Sequence, residues 1–250
     1  VWGAALIVLV GLGSIVDAMV ARPVQRSSSG LRTAGMVALF VLIMFGARWV
    51  GRRFWVEPFR VPSAGMAPTL LTGDHFVVDR RNVTISRGDI IVFRSPEDLT
   101  KDFVQRVVAT GGDLVALSDG QLLVNGRSVS GDAEPCDQAR VEDADENCVT
   151  RREDFGSGRA YSVAFGHGDS SLPSFPGARI GCPERMQWLE EGCLVPEGSV
   201  FTMGDYRDNS FDGRFFGPVP LENVKGRARQ VHFSLDGTGI RWERVGLRVD

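Results

Sequence analysis

The chain has 250 residues, 43% of them hydrophobic and 24% charged, with a formal net charge of −3; this is a globular balance with room for one good core or two small ones. Its 28 basic residues include only two lysines, Lys101 and Lys225, and no basic run carries interleaved aromatics, so the composition argues against nucleic-acid binding. Cys136, Cys148, Cys182 and Cys193 lie in one third of the chain without the Cys-x-x-Cys spacing of a zinc site, so no metal or other cofactor is expected.

Residues 1–21 are apolar except for Asp17, and ~20 helical residues reach across a bilayer core. They are predicted to form a first membrane helix with Asp17 near its end; a cleavable signal sequence is the competing reading, against which stands the missing basic leading region. Residues 22–32 are polar and basic, the composition of a short linker. The second apolar run, residues 33–47, holds no charge and reaches spanning length if Arg48 snorkels and Trp49 and Val50 lie at the interface. A buried soluble helix is the alternative there. Residues 1–52 are thus read as a membrane anchor, with arginines on both flanks that leave its orientation undecided.

Glu57-Pro58-Phe59-Arg60-Val61-Pro62-Ser63-Ala64-Gly65-Met66-Ala67-Pro68-Thr69-Leu70 reads as an extended edge strand stopped by Pro62, a tight turn carrying Ser63 at an exposed corner, and a second turn opened by Pro68. Short β-rich runs follow at 75–80, 89–94 and 103–110, and residues 114–129 read as a hairpin region with turns at Asp119-Gly120 and Asn125-Gly126. Residues 130–194 lose clear periodicity, hold all four cysteines and an acidic run at 142–146, and read as an inserted, loop-rich subdomain. Free buried cysteines are the competing reading, but clustering in polar sequence downstream of a membrane segment favours disulfides in an oxidising compartment. The simplest of three connectivities, Cys136 with Cys148 and Cys182 with Cys193, closes loops of ~12 residues. Pattern returns at 195–203, leading into Gly204-Asp205-Tyr206-Arg207-Asp208-Asn209-Ser210-Phe211-Asp212-Gly213-Arg214, and closing strands are expected at 227–235 and 240–249.

Three of these stretches resemble type I signal peptidases, membrane-bound Ser/Lys proteases that cut leader peptides from exported proteins. Residues 62–70 match the nucleophile box Pro-Ser-x-Ser-Met-x-Pro-Thr-Leu, 87–93 match the box that follows it, and 204–214 match Gly-Asp-Asn-x-x-x-Ser-x-Asp-Ser-Arg. The resemblance implies a mainly β catalytic domain made of residues 53–129 and 195–250. It also implies two membrane helices in the bacterial plasma membrane, with the connecting loop cytoplasmic and everything after it outside.

The alignment puts Gly65 at the nucleophile position and Gln105 at the base position. A serine nucleophile needs a neighbouring amine kept neutral by burial, and a carboxamide takes up no proton at useful pH. Neither Lys101, four residues upstream, nor Lys225, beyond the last box, is placed to replace it, and His75, His167 and His232 do not fall at the lysine position. By resemblance, Ser63 is the oxyanion donor, Ser210 orients the lysine, and Asp212 and Arg214 form the charged pair behind the site. Those three could equally serve only to hold two loops together. Phe59, Val61, Met66, Leu70 and Val104 match positions that line pockets for small side chains of an extended peptide bound by strand addition.

The leading expectation is therefore a membrane-anchored homologue that has lost Ser/Lys catalysis and keeps a leader-peptide groove, with an active paralogue among its possible partners. The rivals are an active protease using Ser63 with another base, and a structural β-domain without a peptide ligand.

Overall fold

The computed structural model describes residues 28–54, 56–81, 84–118, 121–137, 140–141, 144–156, 160–166 and 181–249. The expected first membrane helix, the Asp119-Gly120 turn, the start of the acidic run and His167 lie outside them. Contacts divide the chain into two units, Val1–Gly51 and Arg52–Asp250.

Helix α1, Ser28–Phe54, contains the second apolar run. Positions 33–46 are exposed in succession, with Leu42 at 69% and Phe45 at 70%, so apolar surface covers every face of a helix with 3.6 residues per turn. Its uncharged stretch is only ~22 Å long against a hydrocarbon core of ~30 Å. Among the described residues no helix is long and apolar enough to cross a membrane.

The second unit is built from antiparallel strands. Those of the main sheet are β1 (Val56–Arg60), β2 (Asp74–Asp79), β3 (Ile90–Arg94), β4 (Asp102–Thr110), β13 (Ser199–Met203), β14 (Val219–Pro220) and β15 (Val224–Asp236), in the order β1-β2-β15-β3-β4-β13-β14, with β16 (Gly239–Ile240) paired to β15. Strand β15 bonds β2 with Val231 opposite Phe76 and β3 with Arg227 opposite Ile91. Shifts of register along it bend the sheet, as bulges do. Strand β1 is an edge, in register with β2 from Val56 opposite Asp79 to Arg60 opposite His75.

Strands β5 (Leu114–Ser118), β6 (Gln121–Val124) and β7 (Arg127–Ser128) form the expected hairpin region, and Asn125 and Gly126 both take positive φ in its tight turn. The segment read as loop-rich holds five strands: β8 (Ser130–Pro135), β9 (Val149–Glu153) and β10 (Tyr161–Phe165) make a three-stranded sheet, while β11 (Gln187–Leu189) and β12 (Gly192–Leu194) extend the β5–β7 sheet. The strands are short, and β11 is exposed at all three positions, so no alternation advertised them. Disulfides join Cys136 to Cys148 and Cys182 to Cys193, the sequence-near pairing.

Candidate active site

Val61 leaves β1 still bonded, its N–H donating to the Asp74 carbonyl at 2.8 Å, and Pro62, with no N–H, ends the strand. Ser63 is extended and exposed, and Ala64–Met66 form one 3-10 turn closed by Ala67 N–H to the Ala64 carbonyl at 2.8 Å. Gly65 faces the last box: a Cβ built on it would lie 3.3 Å from the Asn209 carbonyl oxygen and 3.8 Å from Ser210 Oγ. The Gly65 carbonyl accepts from Tyr206 N–H at 3.1 Å. Gly204 is needed where the two segments meet, because a Cβ there would collide with Ser210 Oγ and the Gly65 carbonyl.

Gln105, on β4, is 4% exposed. Its Nε2 donates to the Phe211 carbonyl at 2.8 Å and its Oε1 accepts from Thr202 Oγ1 at 2.7 Å. Both ends of the amide are thus engaged, as burial requires. Gly65 and Gln105 converge on the same segment, Asn209 to Phe211, which also holds Ser210. The lysines are engaged elsewhere: Lys101 pairs with Asp98 at 3.2 Å and Lys225 with Asp102 at 2.6 Å.

Asp212 and Arg214 form a buried bidentate pair, 2.7 and 2.8 Å. Asp212 also accepts from Gly204 N–H at 2.9 Å and caps α2 (Gly213–Phe216), while Arg214 reaches the Arg207 carbonyl at 2.5 Å. The pair therefore ties the two ends of the box to each other.

A second buried charge network has no counterpart among the sequence expectations. Arg106, next to Gln105, donates to both carboxylate oxygens of Asp205 at 2.8 and 2.6 Å, and to the Gly88 carbonyl at 2.7 Å. Thr69 Oγ1 donates to Asp205 at 2.5 Å, and the Tyr161 ring lies 3.8 Å from the guanidinium carbon. Tyr161 O–H donates to Glu153 at 2.7 Å, and Glu153 accepts twice, at 2.6 Å, from Arg207. Burial opposes the Arg106 charge, but Asp205 beside it holds its pKa above the usual value; burial, then the Glu153 charge, push the Tyr161 phenol well up. Asp205 and Arg207 sit in a recognisable motif. Glu153 and Tyr161 sit in unpatterned sequence, and nothing there marks them.

The five groove candidates divide. Val61, Met66 and Leu70 are 1%, 2% and 0% exposed in a core cluster with Phe76, Val78 and Val231, so their side chains fill the interior and do not line an open pocket. On the same segment Pro62 and Ser63 are exposed, so these three candidates are core side chains beside a solvent-facing corner. Phe59 and Val104 pack on the edge of the same cluster and keep partial exposure. Among the described residues no group of His, Cys, Asp or Glu is arranged to hold a metal.

The family model described as signal peptidase, peptidase S26 matches residues 31–233. Signal peptidase I of Aquifex aeolicus is 33% identical over 80% of this chain and 83% of its own. The enzyme of that name from Pseudomonas fluorescens is 32% identical over 78% of this chain and 72% of its own, and that from Pseudomonas aeruginosa 31% identical over 73% and 66%. Boxes, site geometry and these matches agree: the chain belongs to the signal peptidase family, peptidase S26.

Proposed function

We propose that this member of the signal peptide processing family has lost Ser/Lys cleavage and retains recognition of the leader peptides of exported proteins. The observation that carries the proposal is the Gly65 and Gln105 pair. One position has no side chain, and the other holds an amide whose two polar ends are occupied by Thr202 and Phe211. No hydroxyl at position 65 and no amine at 105 leaves the dyad without either of its reacting groups. Ser63 is exposed, and Lys101 and Lys225 pair with Asp98 and Asp102, so among the described residues no free lysine serves Ser63 as an alternative base.

The proposal places the chain in the bacterial plasma membrane, anchored by α1 and the segment before it, with residues 53–250 outside the cytoplasm. Extended peptide would add to the free edge of β1, with Phe59 and Val104 as side-chain contacts. Such a protein would sequester leader peptides or assist an active paralogue.

One observation favours the structural reading instead: the burial of Val61, Met66 and Leu70 leaves less groove than the resemblance implied. Incubation of the full chain in detergent with a fluorescent leader peptide, beside an active family member, separates the readings. Binding without cleavage, weakened at least tenfold by Phe59→Arg or Val104→Arg, supports the proposal. Absence of binding supports the structural reading, and cleavage abolished by Ser63→Ala supports an active enzyme.

A further inference from the structure

The segment after β2, the start of β15 and the turns after β4 and before β13 line a cleft of about 440 Å³, within the ~300–1,000 Å³ of small-molecule sites. It shares no residue with the candidate active site or with the five groove candidates. Its base is apolar: Ile85, Val200 and Val224 belong to the core cluster around Phe93, and Leu221, 45% exposed, joins them in the lining. The charged side chains are segregated by strand. Arg80 and Arg81 follow β2 and Lys225 lies on neighbouring β15, whereas Glu197 precedes β13, beyond β3 and β4 in the sheet. Each cation is anchored by a carboxylate outside the lining: Arg80 by Glu57 at 3.1 Å, Arg81 by Asp79 at 2.7 Å and Lys225 by Asp102 at 2.6 Å. Glu197 is placed by shape instead, its carboxylate lying over the Gly111-Gly112 turn, where a Cβ on either glycine would stand 3.0 Å from one of its oxygens.

We infer that this cleft binds a small soluble phosphorylated sugar or polyol, with the phosphate toward Arg80, Arg81 and Lys225 and hydroxyls toward Glu197. The inference is independent of the peptide-recognition reading. A guanidinium has five donors and an ammonium three, so N–H groups remain for phosphate oxygens after Glu57, Asp79 and Asp102 are served. Those carboxylates also hold the three side chains in place, which reduces the entropy lost when an anion arrives. Two consecutive guanidiniums suit the several acceptor oxygens of a phosphate. An anion alone does not account for the other wall, because Glu197 repels it. A carboxylate only accepts hydrogen bonds, and Thr110, whose hydroxyl already donates to Asp113 at 2.9 Å, is left as an acceptor on the same side. Separate acceptors call for several donors on the ligand, which a polyol supplies. Four apolar side chains at the base suffice for the C–H face of a sugar and are too few to cover an acyl chain, which sets the ligand apart from a phospholipid.

The test is calorimetric titration of the full chain in detergent with glucose 6-phosphate, inorganic phosphate, glucose and dihexanoylphosphatidylglycerol. Glucose 6-phosphate is expected to bind at least about tenfold more tightly than phosphate or glucose, the equivalent of one charge-assisted hydrogen bond beyond either half. Arg81→Gln with Lys225→Gln is expected to weaken glucose 6-phosphate and phosphate together by about tenfold or more. Arg81, with its side chain 66% exposed, can be replaced alone if the pair unfolds the protein. Glu197→Gln is expected to weaken glucose 6-phosphate while leaving phosphate as tight or tighter, a split that a general loss of structure does not produce. No binding, or glucose 6-phosphate no tighter than phosphate, overturns the inference. So does equal action of Glu197→Gln on both ligands, affinity untouched by removal of the cations in protein of unchanged thermal midpoint, or tighter binding of the phospholipid than of the sugar phosphate.

Discussion

Rebuilding the dyad tests the site most directly. Gly65 has no left-handed φ, and a Cβ there meets the Asn209 carbonyl at 3.3 Å, a contact relieved by a shift of a few tenths of an ångström. Gly65→Ser therefore sets a steric cost of about 1 kcal/mol against a comparable gain from a less flexible unfolded chain, and is close to neutral. Gln105→Lys is not neutral. It deprives the buried Thr202 hydroxyl of its acceptor, ~1–3 kcal/mol, and burial that lowers a lysine pKa from ~10.4 to ~7 costs about 4–5 kcal/mol more at neutral pH. That folded pKa lies below the unfolded one, so the unfolded chain binds more protons near neutrality and the variant gains stability as pH rises from 7 to 10. A hydroxyl introduced at position 65 gives the amine a hydrogen-bond partner, and the double variant should be about 1 kcal/mol more stable than the sum of the single changes. Leader-peptide cleavage followed by mass spectrometry should appear in the double variant alone, since groups acting as a unit are non-additive. Strict additivity in stability together with no cleavage by a folded double variant would refute the claim that positions 65 and 105 still address each other.

Three further outcomes follow from the packing. Glu153→Gln leaves Arg207, 1% exposed, without its carboxylate, and should lower stability by about 3–5 kcal/mol in denaturant titration. His75 and His232 lie 6.2 Å apart; burial first, then Arg60 for His75 and His75 for His232, lower both pKa values. Because the unfolded imidazoles protonate at ~6.5, stability should be complete above that pH and fall as pH drops below it, and His75→Asn with His232→Asn should flatten the slope. Cys136→Ser with Cys148→Ser opens a loop whose ends are 12 residues apart and should cost about 3 kcal/mol, read as the same loss on adding reductant to the unmodified protein if the other bridge is removed in both.

The main-sheet strands and the two boxes are legible because alternation, Pro62, Asn125-Gly126 and fixed polar spacing each have a local physical cause. The grouping of Gly65, Gln105 and Ser210 rests on the family resemblance of the boxes, because nothing in their separation along the chain implies that they meet. The fate of Val61, Met66 and Leu70 is not legible, because a side chain that lines a pocket and one that fills a core are both apolar; only the bend of the sheet decides between them. Strands β8–β12 are hidden by their shortness and by polar exposed positions.

The Glu153–Arg207 contact spans 54 residues of sequence. A chain synthesised from its N-terminus delivers Glu153 long before the arginine that neutralises it, and a bare carboxylate does not enter a dry interior. The three-stranded sheet must therefore wait, solvated at that point, until the last box has emerged. Fragments ending before residue 204 should not close the core around Tyr161. The segment that looks most dispensable in the sequence is thus expected to join the core late.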